Sequence, residues 1–141
     1  MIQRLQSVYL ALAVALLGLE YSFGSVWKGA SAATYSWFVP VTMGVFTLAA
    51  IGSFGAIFLY SHRKQQRSLV ILCQVIIVVG LLILFGSQYA TNSLPPRVMT
   101  NLAFQNWASL ITPILAYLML LLARMKIDKD IALVRSMDRL R

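Results

Sequence analysis

Uncharged stretches alternate with short charged ones along this chain. Residues 5–19 carry no charge, and the apolar run continues past Glu20 to about Val26. Residues 41–60, 69–90 and 102–123 are likewise uncharged. Each comes close to the roughly 20 residues that a helix needs to cross about 30 Å of hydrocarbon. None alternates with the period of two that marks a transmembrane strand. Backbone in lipid has to satisfy its own hydrogen bonds, so the pattern predicts helices. We read an all-α, polytopic membrane protein with four transmembrane helices, near residues 5–26, 40–60, 68–90 and 102–123.

Composition agrees. Of 141 residues, 60% are apolar and 11% charged, whereas a soluble domain is nearer half apolar and about a quarter charged. A soluble enzyme is excluded, as is a disordered chain. The first span has signal-peptide features: Arg4 before an apolar run, then the small triplet Ala30-Ser31-Ala32. That triplet lies far beyond the apolar run, so we expect a retained span.

The net charge is +8, from 12 Lys and Arg against 4 Asp and Glu. Arg4, Arg63, Lys64, Arg67, Arg124, Lys126, Lys129, Arg135, Arg139 and Arg141 fall on one predicted side, against Lys28 and Arg97 on the other. Basic residues in short loops stay cytoplasmic, so both termini are expected inside. Trp27, Trp37 and Trp107 fall at the opposite interface beside Tyr21, Tyr35 and Tyr89. Such belts suit rings that are part polar.

Helices in lipid associate where small residues allow close approach. The first span offers Ala11, Ala15, Gly18 and Ser22 on one face, and the second Gly52 and Ala56. Gln74, a lone amide within the third span, is expected to face a neighbour. Pro113 invites a kink in the fourth.

Chemistry is sparse. One histidine, His62, and one cysteine, Cys73, leave no basis for a bis-histidine haem or a cysteine metal cluster. We expect no cofactor, no metal and no catalytic residue. Glu20 is the one carboxylate inside an apolar segment, a functional candidate by position. Its distance from Arg4, roughly 24 Å of helix rise, predicts a place near the outer boundary, within reach of water, Lys28 or Arg97. Residues 1–123 are thus read as the transmembrane domain and 124–141 as a basic, amphipathic cytoplasmic tail helix. In that tail Ile127, Ile131 and Val134 share a face, Arg135 and Asp138 pair three residues apart, and Arg139 points away; Lys126 and Asp130 form an expected i,i+4 pair. Its expected contacts are anionic lipid headgroups or a partner's cytoplasmic face. Without an aromatic stacking platform, nucleic acid is not expected.

The opening Met1-Ile2-Gln3-Arg4 and the closing Val134-Arg135-Ser136-Met137-Asp138-Arg139-Leu140-Arg141 resemble an uncharacterised Bacteroidota family of four-helix inner-membrane proteins. The resemblance implies lineage and architecture, and no activity. Two functions are carried forward. The first is a non-catalytic accessory or scaffold subunit of a larger bacterial inner-membrane complex, with other integral membrane subunits as partners. The alternative is a small proton-coupled transporter using Glu20.

Overall fold

The computed structural model describes residues 2–92, 94 and 101–138, and these are helical throughout apart from turns. Helix α1 spans Ile2–Leu19 and closes in a 3-10 turn, Glu20–Ser22. Two short helices follow, α2 (Gly24–Trp27) and α3 (Ala30–Thr34). Then come α4 (Phe38–Phe58), α5 (Arg63–Ala90) and α6 (Asn101–Asp138). Four of them, α1, α4, α5 and α6, are long and apolar enough to cross a membrane.

The four long helices close into a ring in which α1 packs on α4 and α6, and α5 packs on the same two. Inward residues recur at spacings of three and four, as a helix requires: Leu10, Ala13 and Leu17 on α1; Val70, Cys73 and Ile77 on α5; Ala116, Leu120 and Ala123 on α6. The outward faces are just as apolar, with Leu48, Ile51 and Leu82 well exposed. Lipid supplies no hydrophobic drive between helices, so contact depends on close fit. Glycines mark where the fit is closest: a Cβ at Gly52 would lie 2.6 Å from Cys73 Sγ, and one at Gly80 would lie 2.6 Å from the Phe46 ring. Gly52 and Ala56 sit at the α4–α5 contact, and Gln74 is buried.

Two expected boundaries move. The first apolar run does not continue as one helix to Val26, because the backbone leaves the helix at Phe23 (φ −86°, ψ 67°). Turning there lets Val26 and Trp27 bury themselves, with α2 against α6. The stretch between the first two expected spans is thus largely helical, a cap over that end of the bundle. Ser31 of α3 is hydrogen-bonded to Thr91, just past α5, at 2.9 Å.

The second correction concerns the tail. Helix α6 runs without a break through Pro113 and Arg124 to Asp138, 38 residues in all, or roughly 57 Å at helical rise. No separate helix begins at residue 124. Ile127 is fully buried and Asp130 nearly so, which makes this stretch part of the bundle. Hydrogen bonds from Gln6 to Asp130 and from Arg67 to Asp128 are the physical reason.

Candidate functional site

Helix α1 carries the most unusual chemistry, and its two faces differ. Gln6, Leu10, Ala13, Leu17 and Glu20 are buried. Ala11, Ala15, Gly18 and Ser22, the expected packing face, are exposed instead. A Cβ at Gly18 would meet no atom within 4 Å. The face turned into the bundle carries Gln6 and Glu20, and amide and carboxylate groups in lipid turn toward protein.

Glu20 is 1% exposed. It does not reach water or Lys28, which lies exposed; Arg97 falls outside the described residues. Met43, Phe46, Tyr21 and Trp27 surround it with no room for a water molecule, and neither carboxylate oxygen has a hydrogen-bond partner. Met43 and Phe46 lie five and eight residues into α4, roughly 8–12 Å from its start. The carboxylate is therefore level with the interior of α4 and enclosed by the bundle rather than open at its end.

Its surroundings are held from three directions. The Trp27 indole N–H donates to the Glu20 backbone carbonyl at 2.7 Å, which pins α2 over the end of α1. The Trp27 ring lies against Phe38, centroids 6.0 Å apart. The Tyr21 hydroxyl meets Thr47, whose own hydroxyl donates to the Met43 carbonyl at 2.6 Å. Trp27 is thus an interior residue, while Trp37, Trp107, Tyr21 and Tyr89 keep the exposure expected of a belt.

The opposite end of the bundle is closed by polar ties. Gln6 Nε2 donates to Asp130 Oδ2 at 2.7 Å, both residues buried. Arg67 pairs with Asp128 at 2.5 Å, and Arg124 approaches the same carboxylate at 3.9 Å. Gln66 Nε2 donates to the Ala56 carbonyl at 2.9 Å, near the end of α4, where helix carbonyls run out of partners. The expected Lys126–Asp130 pair is not made, because Asp130 turns inward to Gln6. Of the expected docking stripe, Ile127 is enclosed, whereas Ile131 and Val134 border an open cleft beside His62, Arg63 and Lys64. The Arg135 and Asp138 side chains, and Arg139, lie outside the described residues.

Among the described residues no three His, Cys, Asp or Glu side chains gather into a group able to hold a metal ion. The family model for Domain of unknown function (DUF4293) matches residues 2–140. The chain belongs to that family. No curated protein and no solved structure shows significant similarity to it. Sequence reasoning passed over Gln6 and placed Trp27 at an interface, whereas it is buried. Gln6 had a readable signal, since an amide and a carboxylate 14 residues apart fall within about 40° on one helix.

Proposed function

We propose that this protein is a non-catalytic accessory or scaffold subunit of a larger assembly in a bacterial inner membrane, with both termini cytoplasmic. The terminal motifs support a Bacteroidota lineage, and the basic bias supports the orientation. One observation carries the functional reading. The small-residue face of α1, Ala11, Ala15, Gly18 and Ser22, points out of the bundle. In lipid such a face has value only when another helix approaches it. Its partners on this reading are other integral membrane subunits, around which lipid fills the remaining apolar surface.

Because nothing in the fold stands within 4 Å of a Gly18 Cβ, Gly18→Leu tests the face without disturbing the bundle. Native mass spectrometry from mild detergent should show the assembly reduced to the single chain in an Ala15→Leu/Gly18→Leu variant, with its thermal unfolding unchanged. An intact assembly in that variant removes the reading.

A small proton-coupled transporter is the second reading, favoured by the enclosed, unpartnered Glu20 carboxylate. Intramembrane carboxylates of this kind recur along proton and substrate pathways. Loss of proton-coupled exchange in proteoliposomes carrying Glu20→Gln would support it over the scaffold.

A further inference from the structure

The open cleft at the basic end measures about 1070 Å³. One wall holds His62, Arg63 and Lys64 at the start of α5, and the other holds Ile131 and Val134 of α6. We infer that this cleft seats the phosphate headgroup of one anionic phospholipid.

Charge decides the class of occupant. The two described carboxylates on this stretch of α6 are committed elsewhere, Asp128 to Arg67 and Asp130 to Gln6. Arg63 reaches only the Asp130 backbone carbonyl, at 3.5 Å, so no described carboxylate pairs with the basic wall. Helix α5 starts here with no acidic residue in its first turn and no side-chain cap, so the positive end of its dipole adds to the side-chain charge.

Depth decides the source of the phosphate. The Gln6–Asp130 bond sets the start of α1 level with Ile131. Leu5, next to Gln6, is exposed and apolar, and on α5 exposed apolar residues begin within a few turns, at Leu72. The cleft thus lies where lipid-facing surface gives way to charge, the depth of a headgroup. Ile131 and Val134 suit the first methylenes below a phosphate, and a soluble anion makes no use of them.

The test uses the full chain in phosphatidylcholine nanodiscs containing a few per cent phosphatidylglycerol, with bound lipid counted by native mass spectrometry. Each basic residue near anionic lipid is worth about fivefold in affinity. Arg63→Gln/Lys64→Gln should therefore weaken phosphatidylglycerol retention by about 30-fold. The charge-matched Lys126→Gln/Lys129→Gln, outside the cleft, should leave it within about twofold. Val134→Asp, which places a carboxylate on the exposed wall, should expel the lipid with the basic residues intact and guards against misfolding of the first variant. Equal loss in both double variants would reduce the cleft to diffuse surface charge. Displacement of the lipid by millimolar inorganic phosphate, or occupation of the cleft by an acidic polypeptide in place of lipid, would also overturn the assignment.

Discussion

Gln6 and Asp130 lie 124 positions apart and meet through a 2.7 Å hydrogen bond inside the bundle. This contact makes the start of α1 and the distal part of α6 neighbours, and it spares Asp130 a bare carboxylate in a buried place. Gln6→Leu removes the donor and leaves the acceptor enclosed, which should cost about 1–3 kcal/mol. Asp130→Asn keeps an acceptor facing Gln6 and should cost less. Thermal unfolding of the two variants in the same detergent gives the order directly.

Glycine positions on α5 make a paired prediction. Gly80→Ala drives a methyl into the Phe46 ring, whereas Gly86→Ala meets nothing within 4 Å. Overpacking should cost Gly80→Ala about 1–3 kcal/mol. Gly86→Ala should be neutral or stabilising by up to about 1 kcal/mol, since alanine is the better helix former. Denaturant or thermal unfolding of both variants separates them.

Trp27→Phe should loosen the cap. It removes the indole donor from the Glu20 carbonyl, at about 0.5–1.5 kcal/mol, while keeping most of the ring packing. Hydrogen exchange across residues 24–34 should quicken more than exchange in α5. Uniform exchange would mean that the indole bond does not hold the cap.

Glu20→Met should raise thermal stability rather than lower it. Both carboxylate oxygens are enclosed without partners, and replacing an unsatisfied buried polar group by an apolar one of similar length is neutral or favourable. A marked fall in unfolding temperature would show that the carboxylate has a partner in the membrane.

Orientation can be measured by reporter fusions. A fusion within residues 61–67 and one after Arg141 should read cytoplasmic, and one within residues 91–96 should read external. Any reversed reading removes the proposed orientation.

Spans were legible in the sequence because each is an uncharged run of sufficient length, and that needs only the thickness of a bilayer. Which face of α1 turns into this bundle does not follow from small residues. Both faces of a lipid-embedded helix are apolar, so size alone does not rank Ala11–Ala15–Gly18 against Leu10–Ala13–Leu17. The polar pair Gln6 and Glu20 ranks them, and it was visible. The tail was misjudged for a related reason. Six basic residues after Ala123 read as a segment leaving the bundle, but Arg67 and Gln6, distant in the chain, pair with Asp128 and Asp130. No local window contains those partners. The cap over Glu20 was hidden likewise, since Trp27 at a span end reads as an interfacial ring until Phe23 turns the chain.

The ring closes between its first and last members, with α1 against α6, and this fixes an order of biogenesis. A chain entering the membrane helix by helix brings α1 in first and holds its inner face, with Gln6 and Glu20, without α6 until the last turns of α6 leave the ribosome. During that interval a holding factor or lipid-exposed polar contact has to cover α1. Nascent chains still held on the ribosome should therefore cross-link through α1 to the insertion machinery, and released full-length chains should not.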